Sequence, residues 1–358
     1  MRYSYLIFFF LYIFGLQTVT LAQDTHQNEP KQSEGSISKL IFHHVSDQHD
    51  WHIADIPAGN GHYTPISIPL PWIIINNGVD IFMLHGHSET ELAEQAAQKN
   101  YLYEHGHIKQ TLDGKPVIDL SMTKTAFQIL LVCLLMTLIF TSVAGAYKKN
   151  EGKAPKGLQS LLEPIIIFVR DEVAKPNLKE KYAGFMPYLL TLFFFIWISN
   201  IFGLTPFNSN IAGNISVTAA LALLTFIITQ FKGTATYWGH IFWFPGVPLP
   251  VKFLMLPVEL IGIFTKPFAL MIRLFANIIA GHFMVLALIC MIFIFSKGGE
   301  NVLAGFGIAP VSIAFTIFIF CLEMLVAAVQ AYVFTLLTCV FVGSAMEEHH
   351  HEENHAHH

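Results

Sequence analysis

"FALMIRLFANIIAGHFMVLAL", residues 268–288, is apolar enough to lie in a membrane, yet it carries an arginine at position 273. A guanidinium at the bilayer centre costs about 2.5–3.5 kcal/mol even on lenient insertion scales. Its presence therefore needs a compensating partner, and the rest of the chain is read outward from that requirement.

The solvent is set by composition. The chain is 53% hydrophobic and only 13% charged, with mean hydropathy +0.52, which excludes a soluble domain and points to a polytopic membrane protein. The net charge of -5 carries little information. All four cysteines, at 133, 290, 321 and 339, lie in apolar runs, so neither a disulfide framework nor a thiolate metal site is indicated.

The start, "MRYSYLIFFFLYIFGLQTVTLAQ", combines one basic residue, a short apolar core and the small residues Thr20 and Ala22, which predicts a signal peptide over residues 1–22. Residues 23–120 follow as a polar, histidine-rich, extracytoplasmic module. In it "YTPISIPLPWIIINNG" reads as short strands and "ETELAEQAAQKN" as helix. The membrane domain spans 121–346, and 347–358 form a His/Glu-rich cytoplasmic tail.

Within the membrane domain the first span covers about 125–147 and ends in "YKKNEGKAPK", a cytoplasmic signal under the positive-inside rule. "GLQSLLEPIIIFVRDEV" (157–173) is too polar to span and reads as an amphipathic helix along the interface. Residues 185–204 and 214–231 form a hairpin joined by "TPFNSNIAG", which lacks Lys and Arg as an outside loop should. The last two segments are long: 268–296 allows about 43 Å of helix and 311–342 about 48 Å, against a hydrocarbon core of about 30 Å. The fold class expected is an all-α polytopic membrane protein with about five embedded helices, the last two steeply tilted, plus the interfacial helix and the small N-terminal module.

Polar residues pattern those helices. Glu259, Lys266 and Arg273 recur every seven residues and share a face, although Pro267 disturbs the phase. Asn277 stays near that face, whereas His282, nine beyond Arg273, falls half a turn away and about 13.5 Å along the axis. On the second long helix Glu323 and Gln330 share a face. Two polar sets at different depths suit two partial aqueous routes rather than one continuous pore. An arginine cannot release its proton in a protein, so between such routes it acts as a fixed positive barrier that can hold a carboxylate.

"KPFALMIRLFANIIAGH" and "EMLVAAVQAYVFTLLTCVFV", supported by "GLQSLLEPIIIFVRDE" and "NISVTAALALLTF", resemble subunit a of the F-type ATP synthase membrane sector over about residues 120–345. The resemblance implies a proton-translocating stator subunit in a bacterial inner membrane, not itself catalytic and without cofactor, metal or nucleic acid. It implies partners in a ring of c subunits, a peripheral stalk of b subunits, the remaining ATP synthase and membrane lipid. It assigns Arg273 the position facing the ring carboxylates, with Gln330 beside it and Asn277 nearby, Glu259 near the cytoplasmic route, and His282 with Glu323 on the extracytoplasmic route. Asn214 departs from the pattern, since many members have an acid there. The alternative is a secondary transporter whose Arg273 binds an anionic substrate; that class usually shows internal repeats, and none is found here. Metal binding by "FHHVSDQHDWH" or "EEHHHEENHAHH" is disfavoured because neither has a fixed ligand spacing.

Overall fold

The computed structural model describes residues 50–57, 63–76, 78–84, 89–104, 107–111, 114–150, 152–205, 211–243, 248–295 and 302–347. The signal peptide expected over 1–22 and all but the first residue of the 347–358 tail lie outside them.

The N-terminal module has the strands and helix its alternation suggests. β1 (Asp50–Pro57) and β2 (Tyr63–Pro69) form an antiparallel hairpin. β3 (Pro71–Ile75) is the centre of a sheet ordered β4-β3-β7, with β4 at Val79–Met83 and β7 at Ile118–Asp119. α1 (Glu89–Gln98) and the hairpin of β5 (Tyr101–Glu104) and β6 (His107–Thr111) complete it. Side chains alternate across a strand, so β3 sends Trp72 and Ile74 into a small core with Leu84, Ala96, Tyr101 and Ile108. There the Tyr101 hydroxyl donates to the Asp80 carboxylate. Beyond β7 the chain stays bonded to β3, with Leu120 N–H donating to Ile73 C=O at 2.9 Å and Met122 N–H to Pro71 C=O at 3.1 Å. The next residue, Thr123, caps α2 (Lys124–Lys149), its hydroxyl accepting from Ala126 N–H at 3.2 Å.

Among the described residues, five helical runs are long and apolar enough to cross a membrane. α2 ends in Lys148 and Lys149. α3 (Leu158–Phe168) runs through a π-helical stretch, Val169–Ala174, into one turn that stops where Lys179 takes φ 49°, a left-handed conformation that no helix continues through. This separates the segment expected at the interface from α4 (Tyr182–Gly203), the next span. α5 (Ile215–Lys232) follows, its N-terminus capped by the Asn214 side chain, and α6 (Ala235–Phe242) is short. Lysines 148, 149, 175, 179, 181 and 232 all belong to the end of the bundle at which α2 and α5 finish and α4 begins.

α7 (Leu249–Phe295) and α8 (Val302–Met346) correct the sequence expectation. Boundaries at 268 and 311 assumed that Pro267 and Pro310 end helices, but α7 runs through Pro257 and Pro267 and α8 through Pro310. A proline removes one backbone hydrogen bond, a loss that membrane helices tolerate when hydroxyls and neighbouring helices shore up the exposed carbonyls. Pro267 leaves the Ile263 carbonyl without its i+4 donor, and in the same turn the Thr265 hydroxyl donates to Gly262 C=O at 3.0 Å. At 47 and 45 residues, each helix has an arc length near 70 Å, about twice the hydrocarbon core, so neither is an upright span.

The membrane core gathers Leu192, Phe194, Phe195 and Ile196 of α4, Val217 and Leu221 of α5, Leu270 and Leu274 of α7, and Ala331 and Phe334 of α8. Polar clips bind the same helices. Tyr188 and Thr225 hydroxyls lie 3.0 Å apart, and Asn200 Nδ2 donates to Ala327 C=O at 3.4 Å. At the lysine-rich end Thr234 N–H donates to Ala345 C=O at 2.9 Å. There α8 passes so close to the turn before α4 that a Cβ on Gly343 would strike the Asn177 carbonyl, whose carbon lies 3.3 Å away. Backbone cannot yield as a side-chain tip can, so Gly343→Val should destabilise the fold by about 1–3 kcal/mol. A thermal-unfolding midpoint of the purified protein equal to wild type would refute that close packing.

Candidate functional site

α7 presents two sides. Ile263, Leu270 and Leu274 are buried inward. On the other side Phe264, Phe268, Ile272, Arg273 and Asn277 are exposed, within a flank continuous with Leu254, Val258 and Ile261. α8 likewise exposes Phe315, Ile317, Phe318, Leu322 and Leu325. Surfaces this apolar belong against lipid or another membrane protein, not water. Arg273 stands within that flank, seven residues beyond the exposed Lys266, and is in none of the ion pairs found among the described residues, which include Arg170–Asp171, Lys175–Asp171 and Lys179–Glu347.

Leu274 and Ala331, next to Arg273 and Gln330 in sequence, belong to the same core cluster. The two side chains differ in setting: Gln330 is buried at 6% exposure, while Arg273 and Asn277 face outward.

The unbroken α7 keeps Glu259, Lys266 and Arg273 on one face despite Pro267, but each has its own surroundings. Lys266 Nζ sits 5.7 Å from the Phe341 ring. Glu259 lies near Tyr237 of α6; burial, with the Glu259 charge adding to it, pushes that phenol's pKa up, against the lowering effect of its Gln230 hydrogen bond. A crevice lined by Thr229, Gln230, Tyr237, Lys266 and Ser344 opens at this lysine-rich end, with the Tyr237 hydroxyl 3.4 Å from Gln230 Nε2.

Glu323 belongs to a different region. It is half-buried, and its carboxyl group packs on the backbone of Gly281, where a Cβ would come within 2.8 Å of the carboxyl carbon. Gly281 immediately precedes His282, so α8 delivers its acid to the α7 turn that bears the histidine. The His282 side chain itself lies outside the described residues. About two turns further along α7, the Ser312 hydroxyl donates to Leu288 C=O and ties the same two helices together. Sequence reading passed over Gly281. The available signal was a glycine inside a helix, which costs about 1 kcal/mol relative to alanine and so wants a packing reason. Tyr237 was missed as well, since nothing local links it to Glu259, 22 residues on.

Asn214 caps α5, its side-chain oxygen accepting from Ser216 N–H at 3.0 Å, which gives this departure from the acidic pattern a structural task.

Comparison with known proteins follows the same division of the chain. The family model described as ATP synthase A chain matches residues 126–343. A second model, a domain of unknown function (DUF8433), matches residues 40–127. The ATP synthase subunit a of Chloroherpeton thalassium is 43% identical over 244 residues, 67% of this chain and 71% of that protein. That of an Anaeromyxobacter species is 36% identical over 334 residues, 89% of this chain and 73% of that protein.

Proposed function

The chain belongs to the ATP synthase A chain family, the proton-translocating subunit of the synthase membrane sector, and on that premise we propose that Arg273 is the fixed charge past which a ring of c subunits turns. The observation that carries this reading is Arg273 itself, an exposed guanidinium on an apolar helix flank with no anionic partner among the described residues. A carboxylate carried by the ring supplies the missing anion.

A ring carboxyl group facing lipid must be neutral, since ionising it there is costly. Opposite Arg273 the ionised form is favoured by the opposite charge. Two offset routes then separate loading from unloading. His282 and Glu323, brought to one level by Gly281, line the extracytoplasmic route. Glu259, beside Tyr237 at the lysine-rich end, belongs to the cytoplasmic one. Gln330 supports the arginine from beneath and Asn277 extends the polar stripe along the ring-facing side. One charge crossing 150 mV releases about 3.5 kcal/mol, so several steps combine for each ATP.

The lysine-rich end is cytoplasmic under the positive-inside rule, which leaves the N-terminal module outside a bacterial inner membrane after removal of residues 1–22, and the 347–358 tail inside. Subunits b of the peripheral stalk hold the assembly against rotation.

Two experiments test this. Mild solubilisation and purification through this chain should bring down small proteolipids and the ATPase head together; a chain that purifies alone would overturn the stator reading. Gly281→Val should displace the Glu323 carboxyl group and slow passive proton flux through the membrane sector, and full flux in that variant would remove Glu323 from the route.

A further inference from the structure

One face of the three-stranded sheet in the N-terminal module is left open by the described residues, and it is built in rows. Directly opposed residues in antiparallel strands point to the same side. The pairs Ile73–Ile81, Ile75–Val79, Ile75–Ile118 and Pro71–Met83 therefore share one face. The hydrogen bonds from Leu120 to Ile73 and from Met122 to Pro71 carry the register on, so three rows of three apolar side chains result. Val79, Ile81, Met83 and Ile118 are each more than half exposed. The alternate positions face the module's core, among them Trp72, Ile74 and both acids of the sheet: Asp80, bonded to Tyr101, and the buried Asp119. The open face carries no charge.

What covers it follows from its attachment. Met122, in the row nearest the membrane, directly precedes the Thr123 cap of α2. With residues 120 and 122 still bonded to β3, no free linker separates sheet from span. At about 3.3 Å per residue, the farthest row, at Ile118, lies within about 17 Å of Thr123. That is on the scale of the polar layer outside the hydrocarbon core, about 5–8 Å thick, plus one residue layer. The face has no aromatic residue and no arginine, the anchors that dominate protein–protein interfaces; of the residue types such interfaces favour it holds only Met83 and Met122. α2, which starts at once after this sheet, exposes the apolar Leu134 and Leu138 as well.

We infer that this sheet face rests on the bilayer surface from which α2 starts, so that the module is a peripheral lipid-binding element fused to the first span. Sheet and helix form one lipid-facing unit and fix the height and rotation of α2 in the membrane. The inference needs only that α2 crosses the membrane and is independent of how protons move.

The test uses the whole synthase reconstituted in phosphatidylcholine–phosphatidylglycerol vesicles, with Cys290 and Cys321 replaced by alanine. A spin label is placed at Ile81→Cys, or at Glu94→Cys on the exposed side of α1 as a water-facing reference. Collisional relaxation is measured with oxygen, which concentrates in lipid, and with a water-soluble nickel chelate. The expected result is an Ile81 label relaxed several-fold more by oxygen than by nickel, with the order reversed at Glu94. A label at Ile81 open to nickel means the face is solvated, and one shielded from both reagents means that protein covers it; either overturns the inference. Val79→Cys, in the farthest row, gives the same reading if Ile81→Cys does not assemble.

Discussion

Arg273→Ala should abolish ATP-driven proton pumping in inverted vesicles while the complex still assembles. The side chain makes no ion pair among the described residues, so its removal leaves the α7–α8 core of Leu270, Leu274, Ala331 and Phe334 in place. On the proposed reading, what it removes is the positive charge opposite each ionised ring carboxylate. Breaking one partner of a desolvated ion pair costs about 3–5 kcal/mol, which slows passage of the ionised site by about two to three and a half powers of ten. Arg273→Lys should fail nearly as badly: an ammonium can shed its proton when desolvated and lacks the planar fork that holds a carboxylate at two points. Near wild-type pumping by Arg273→Lys would refute the barrier role.

The second large effect concerns Glu323 and His282. Glu323→Gln should cut passive proton conductance of the membrane sector, and so should His282→Ala, since each removes a proton-exchanging group. Exchanging the pair, as His282→Glu with Glu323→His, should restore more conductance than either single exchange retains. The structural reason is that Glu323 packs against Gly281, which puts positions 282 and 323 at one level of the α7–α8 contact. Groups that act at one site couple by about 0.5–3 kcal/mol, so on the proposed shared route the double exchange should exceed the product of the single effects by about 2-fold to 160-fold. Conductance measured across pH 6–9 in vesicles checks this, and simple multiplication of the two defects would show that the groups do not share a site.

Much of this arrangement is legible in the sequence because the bilayer leaves few choices: only helices satisfy their own backbone in lipid. The spans near 125–147, 185–204 and 214–231 follow from apolar length alone, and Arg273 stands out because its burial is expensive. The ends of α7 and α8 were misread for a local reason. Pro267 and Pro310 stop helices in water, where the freed carbonyls can turn to solvent, but not in these two, whose other backbone bonds have no better partner. Seven-residue spacing correctly groups Glu259, Lys266 and Arg273 on one face, yet it cannot tell that Glu259 turns toward Tyr237. Spacing also cannot say that Gln330 is covered while Arg273 is bare, because that depends on how two helices 57 residues apart in sequence are packed. The alternation of β3 reveals a strand with two different faces, but only the register with β4 and β7 reveals that its outer face is a charge-free apolar lattice.

The position of the ring carboxylates relative to Arg273 in the assembled membrane sector is the most direct measurement, obtained by electron cryomicroscopy of the intact synthase. The exposed flank of α7 through Phe268, Arg273 and Asn277 should face the ring, with a carboxylate within about 4–6 Å of the guanidinium, the range over which an opposite charge holds an acid ionised. Lipid or another subunit against that flank, with every ring carboxylate beyond reach of Arg273, would contradict it.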